Sequence, residues 1–214
     1  MTRILHIIDH IYPVLGYQET HLAKAHSNGN QTLVITSDRY SKYIFDSNKP
    51  LLKKRIAGTG IFQEYGIDLL RLPIRLDIDF LNSPWLVGLE NAVQNFKPDI
   101  IIAHGFVNLT SIRLALLKRR LPHTRFIFDD HMTFNATRGT WTKLLYIFFG
   151  IFLTPIFLKS ANEIIAVTPE TKEFMHQKYR IPEAKIRIVS LGIDLDNFYY
   201  DPNIRQVIRK QFSI

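Results

Sequence analysis

Short apolar runs recur along this chain, each separated from the next by enough residues for a helix. Residues 3–8, 32–36, 69–73, 100–103, 125–128, 163–167 and 185–189 read as seven strands. Residues 3–8 and 100–103 are short apolar runs of the kind found in strands covered on both faces. The intervening segments carry helix punctuation. Asn28-Gly29-Asn30 stops a helix that starts at Gln18, and Ser83 before Pro84 reads as the cap of a helix running to Phe96. Residues 107–119 read as another helix, and Thr168-Pro169-Glu170 as the start of one more. This alternation predicts an α/β fold: a Rossmann-like, open, mostly parallel sheet of about seven strands with helices on both faces. Residues 37–68 offer no clear element.

Composition narrows the chemistry. At 214 residues and 25.0 kDa the chain suits one large domain or two small ones. Cysteine is absent, which excludes a disulfide scaffold, a thiolate zinc site and a cysteine nucleophile. Lys and Arg number 27 against 19 Asp and Glu, a net charge of +8. Such a balance favours phosphate-bearing partners: nucleic acid, anionic lipid or a nucleotide-bearing substrate. No RNP-type aromatic motif, zinc-finger spacing or G-x-S-x-G elbow is present to direct the charge or the chemistry elsewhere. The N-terminus reaches Asp9 and His10 too soon to form a secretory signal.

In open α/β sheets, ligands bind beyond the carboxyl ends of the strands. That rule selects the loop after the first strand, His104-Gly105, Asp129-Asp130-His131 and Thr168. Gly16 precedes a helix N-terminus, where amides and the helix dipole favour an anion, and Glu19 falls in that helix's first turn. Adjacent carboxylates on a strand point to opposite faces, so only one of Asp129 and Asp130 is expected in a cleft. Asp77 with Asp79, and Asp194 with Asp196, have the i, i+2 spacing of a magnesium site. The pattern is common by chance, and no metal is expected.

Residues 144–158 (LLYIFFGIFLTPIFL) are apolar almost throughout. A bilayer-spanning helix needs about 20 apolar residues, so this stretch reads as too short to cross. A helix covering a sheet keeps one polar face, and this one has almost none. Trp141 and Lys143 precede it and Lys159 follows, as suits a helix lying in a membrane interface; a buried core helix is the other reading. Residues 113–125 add five cations and no acid, Arg119 and Arg120 among them. Trp141, Lys143, Phe148, Phe149, Phe152, Arg119 and Arg120 are the candidate membrane contacts.

The segment Pro13-Val14-Leu15-Gly16-Tyr17-Gln18-Glu19, followed by Leu22-Ala23 and Asn28-Gly29-Asn30-Gln31-Thr32-Leu33-Val34-Ile35-Thr36, resembles the N-terminal signature of GT-B glycosyltransferases, specifically the family 4 retaining enzymes. Gly192-Ile193-Asp194 with Phe198 is similar to the segment that closes the N-terminal domain in that family, and residues 163–168 to its strand ending in Ser or Thr. Tyr17 stands where the family has a second glycine, and Asn30 where it has histidine.

The resemblance implies half of a two-domain enzyme. Residues 1–198 would be the acceptor-side Rossmann-like domain. Residues 199–214 would be a linker or helix leading to a donor-binding domain, whose Glu-x7-Glu pattern is expected downstream. The implied reaction transfers a sugar from a nucleotide-sugar donor to a hydroxyl of a lipid-linked or polysaccharide acceptor. His131 would serve catalysis near the transferred sugar. Gly16, Tyr17, Glu19, His104, Asp130 and Thr168 would bind donor phosphate or substrate. No cofactor and no nucleic-acid partner are implied. The expected location is cytoplasmic, peripheral on the inner face of the plasma membrane. The fragment alone would be inactive. The rival readings are a sugar-nucleotide epimerase domain and a non-catalytic sugar- or membrane-binding module.

Overall fold

The computed structural model describes residues 1–78, 83–137, 139–192 and 199–213. Its centre is an eight-stranded sheet. The strands are β1 (Arg3–Ile7), β2 (Gln31–Ser37), β3 (Gly60–Glu64), β4 (Ile67–Leu72), β7 (Ile100–His104), β8 (Arg125–Asp130), β9 (Glu163–Ala166) and β10 (Ile186–Ile188). Their order is β10-β9-β8-β7-β1-β2-β4-β3, parallel throughout except for β3 against β4. A separate two-stranded ribbon pairs β5 (Ile74–Ile78) with β6 (Ser83–Leu86). The chain therefore has more strands than the seven expected. The tight turn at Tyr65-Gly66 joins β3 to β4 within the region that lacked a sequence pattern.

The helix expected to start at Ser83 begins later. Ser83 and Pro84 lie in β6, and the helix α4 (Leu89–Phe96) starts after Gly88, whose φ of 79° suits glycine. Pro84 lacks an N–H and is tolerated in a two-stranded ribbon, where not every amide has a partner. Asn82, Asp79 and residues 193–198 fall outside the described residues. That excludes most of the Gly192-to-Phe198 segment and both aspartates of the second candidate pair.

Helix α1 (Gln18–Ser27) covers one face of the sheet, with Ala23 packed near Val34, Ile67 and Leu69. The opposite face carries the larger core. There α4, α5 (Leu109–Leu117), α7 (Thr154–Ser160) and α8 (Pro169–Tyr179) bring Val93, Leu114, Phe157 and Phe174 against Leu5, Ile101, Phe126 and Phe128. Phe106 sits among the rings of Phe157, Tyr179 and Phe149 at centroid distances of 4.3, 5.5 and 5.6 Å. Two short helices, α2 (Lys42–Ser47) and α3 (Lys49–Leu52), follow β2. Helix α9 (Pro202–Phe212) is exposed along its length.

The apolar stretch forms one continuous helical element, Thr140–Ser160. It comprises α6 (Thr140–Phe148), a π-turn at Phe149–Leu153, and α7. It has 21 residues and an 18-residue window of mean hydropathy 1.7, so by length and composition alone it could cross a membrane, which corrects the expectation of a stretch too short. Pro155 cannot donate to Ile151, and the wide turn beside it absorbs the missing bond. Core and surface divide this element lengthwise. Tyr146, Phe149 and Phe157 are buried, whereas Trp141, Phe148 and Phe152 are 85%, 52% and 59% exposed. Phe149, at 1% exposure, is a core residue and not a membrane contact; helical phase turns it onto Phe106, Phe157 and Tyr179. Lys143, Arg119 and Arg120 are exposed.

Candidate active-site cleft

Strand order reverses between β1 and β7: β2 and β4 extend the sheet one way, and β8, β9 and β10 the other. Loops leaving the two central strands diverge there and open a crevice at the carboxyl ends. The crevice has a volume of about 1220 Å³. Its polar lining includes Asp9, His10 and Glu19 beyond β1, His104 at the end of β7 with Asn108 after it, and Asp130 at the end of β8 with His131 after it.

Tyr17, Glu19, His104, Asp130 and His131, all named from the sequence, thus share one cleft. Gly16 stands beside it. Gly16 ends the short turn Pro13–Leu15 at φ 65°, ψ 35°, the left-handed region where glycine is least strained. Tyr17 then caps α1 by position only, with no side-chain bond to the helix. Its ring meets Tyr12 edge-on at 5.5 Å and is 41% exposed. Thr168 lies apart from the cleft lining. Its Oγ1 accepts the Thr171 amide at 3.0 Å and caps α8, the ordinary task of threonine before a first-turn proline.

His131 is tied to the first turn of α1. The side-chain amide of Gln18 donates to its Nε2 at 2.6 Å. Asp130 fixes the turn that presents it, because Oδ1 accepts the backbone N–H groups of His131 at 2.8 Å and Met132 at 3.2 Å. Burial pushes the Asp130 carboxyl above the usual carboxylate range, against the pull of Tyr179 and these two amides.

Asp129 takes the opposite face, as strand geometry requires. It lies beside His104 in the β7–β8 register, and its Oδ2 accepts from His104 Nδ1 at 2.8 Å. The contact continues as a file of rings. His104 Nε2 meets His6 Nδ1 at 3.0 Å, and His6 Nε2 meets His26 Nδ1 at 3.0 Å. With Asp129 ionised, one tautomer pattern satisfies the file: each Nδ1 carries hydrogen and each Nε2 accepts. Burial acts against charge on His104, but the Asp129 carboxylate outweighs it and raises the pKa. His6 is held well below the usual imidazole range by burial, then by His104 and His26. Among the described residues, no three His, Asp or Glu converge to hold a metal ion.

Asp9, His10 and Gln18 were missed as site residues. Asp9 and His10 follow β1 directly, so the carboxyl-end rule would have found them; nothing local marks Gln18. Burial pushes the Asp9 carboxyl up to about 7 despite donation from Thr110 to its Oδ1. His10 accepts from Ser37 Oγ at Nδ1, 2.8 Å away, or donates from that atom to the Arg39 carbonyl at 3.0 Å.

A doubly covered, mostly parallel sheet with a cleft at its switch point, lined in part by hydrogen-bonded polar side chains, defines a Rossmann-like domain. The chain belongs to Glycosyltransferase Family 4, whose model matches residues 22–197. No curated protein matches it in sequence. Among solved structures it is similar to Anabaena HepE in complex with UDP and glucose, with a TM-score of 0.60 and 12% identity over 100% of this chain and 50% of that one. It is also similar to a glycosyltransferase from Rickettsia africae (TM-score 0.52, 13% identity, 99% and 49% covered). An E. coli trehalose-6-phosphate structure bound with UDP-2-fluoro glucose matches at a TM-score of 0.53 and 11% identity, with 100% and 55% covered. These likenesses show a GT-B glycosyltransferase fold. The chain spans about half the length of the solved structures it matches.

Proposed function

We propose that this chain is the N-terminal, acceptor-side domain of a retaining glycosyltransferase that uses a nucleotide-sugar donor. The reaction moves the sugar to a hydroxyl of a lipid-linked or polysaccharide acceptor. The observation that carries this reading is the switch-point cleft, where Gln18 at the start of α1 bonds His131 after β8. UDP and glucose in the HepE structure support a nucleotide-sugar as donor.

In this reading the donor diphosphate approaches the loop around Gly16, where α1 begins and its N-terminal amides and dipole favour an anion. His131 hydrogen-bonds the transferred sugar or the charge developing on the leaving phosphate. The diphosphate leaves on the face the acceptor enters, with no covalent enzyme intermediate and no resident cofactor. His104, Asp130 and Glu19 shape the acceptor side. The domain works at the cytoplasmic face of the plasma membrane, held peripherally by the exposed side of α6 and by Lys143, Arg119 and Arg120.

The test is turnover of UDP-glucose and other nucleotide-sugars by this domain joined to a second, donor-binding domain, with the anomeric configuration of the product read by NMR. Retention with loss of activity in His131→Ala supports the reading, whereas inversion overturns the retaining assignment. The 214-residue chain alone is expected to show no turnover.

A further inference from the structure

The cleft is mixed in a way that a purely saccharide ligand does not require. One wall is the side of α6 bearing Trp141, Leu144, Leu145 and Phe148, and Tyr12, Tyr17 and Ile44 line the cleft as well. Phe106 and Val107 extend the apolar lining towards the polar end at His104 and His131. Its volume of about 1220 Å³ exceeds the roughly 300–1,000 Å³ of ordinary small-molecule sites.

The apolar wall also continues beyond the cleft. Trp141, Leu144, Phe148, Ile151 and Phe152 recur at three- and four-residue spacing along the helix, and every one is exposed. Leu144 and Phe148 belong both to the cleft and to this outer stripe. A contiguous exposed apolar strip on a folded domain marks a contact with something apolar. Exposed Lys143 and Lys159 bracket it, and the chain carries a net charge of +8, which complements an anionic lipid surface.

We propose that the α6 wall holds the apolar tail of an amphiphilic acceptor, with the acceptor's hydroxylated head at the His104–His131 end. The substrate class is therefore a lipid-linked hydroxyl compound rather than a polysaccharide. The inference rests on the glycosyltransferase reading and specifies its acceptor. The strip gives the tail an unbroken apolar path from the bilayer into the cleft, so the head reaches the polar end without the tail crossing water.

The test compares a sugar-headed amphiphile with its head alone: dodecyl maltoside below its micelle concentration, and maltose. Binding to the 214-residue chain is followed by the indole NMR signal of Trp141. The amphiphile is expected to bind at least about tenfold more tightly than maltose, the equivalent of burying about two methylenes. The double variant Leu144→Gln, Phe148→Gln should lose this gain. The outer pair Ile151→Gln, Phe152→Gln should keep it while losing sedimentation with phosphatidylglycerol-containing vesicles.

Equal affinity for amphiphile and maltose overturns the proposal. So does an undiminished gain in the wall variant when its circular dichroism and melting match the parent. Self-association that shields Trp141 and blocks the amphiphile would assign the strip to a second copy and likewise overturn it. Nucleotide-sugar turnover by the two-domain protein is a separate readout. If turnover persists while the tail preference fails, the glycosyltransferase reading stands without this inference.

Discussion

His6 Nδ1 lies 3.0 Å from His104 Nε2, joining the two central strands by a side-chain hydrogen bond on the face that α1 covers. The bond is one link in a file from the partly exposed His26 to the Asp129 carboxylate beneath the cleft. Three imidazoles in file, His104 stacked on His6 at 9° and His26 tilted at 34°, share one consistent tautomer pattern that holds His104 in a single orientation.

The file makes stability pH-dependent. His6 has a lowered folded pKa, so the unfolded chain binds more protons as pH falls through about 6.5. The resulting loss of stability should begin near that pH and deepen below it. His104, with a raised folded pKa, acts oppositely: its contribution is full below the unfolded value and fades as pH rises through the folded one. Asp129→Asn should lower the His104 pKa, read directly by imidazole NMR titration.

Asp9 has the sign of a buried acid. Its folded pKa of about 7 lies above the ordinary aspartate value of 3.8, so stability falls as pH rises between those values and the full cost is present above pH 7. Asp9→Asn, which keeps an acceptor for Thr110, should melt higher than the parent at pH 8. The gain should shrink towards pH 5, and equal melting at both values would contradict the assignment.

Gln18 and His131 should differ in kinetic weight. In the two-domain protein, His131→Ala is expected to lower kcat by about 10²-fold or more, as loss of a donor to developing charge does. Gln18→Ala, which releases the ring but leaves it in place, should lower kcat by less than this, within the roughly 10²-fold that a 1 Å misplacement costs. Both variants should keep the parent's melting temperature.

Thr168→Ala should cost about 1 kcal/mol of stability through loss of the α8 cap. Its turnover should match the parent's. A loss of activity at equal stability would return Thr168 to the site.

Phe149 and Phe152 lie three residues apart and should separate cleanly. Phe149→Ala removes a ring packed on Phe106, Phe157 and Tyr179 and should cost about 3–5 kcal/mol. Phe152→Ala, on the exposed strip, should change stability by less than about 0.5 kcal/mol while weakening vesicle binding. Chemical denaturation measures the first effect and sedimentation the second.

Much of this protein follows from local pattern. The buried runs at β1, β2, β7, β8 and β9 and the caps at Thr168 and Asn28 need only neighbouring residues to specify them, because strand burial and capping act over a few positions. The carboxyl-end rule selects His104, Asp130 and His131, which line one cleft, and also Thr168, which does not; Tyr17 and Glu19 come from the family resemblance. Only the folded chain decided the rest. The β3–β4 hairpin, the displacement of the Ser83 helix, the Gln18–His131 bond and the four-residue file from His26 to Asp129 join residues whose sequence neighbours give no sign of the contact. The helix at 140–160 shows the limit most clearly, because hydropathy measures how apolar a segment is but not which side meets the core. Tertiary packing turned Phe149 inward and Phe152 outward, since only helical phase against a neighbouring surface distinguishes two identical side chains.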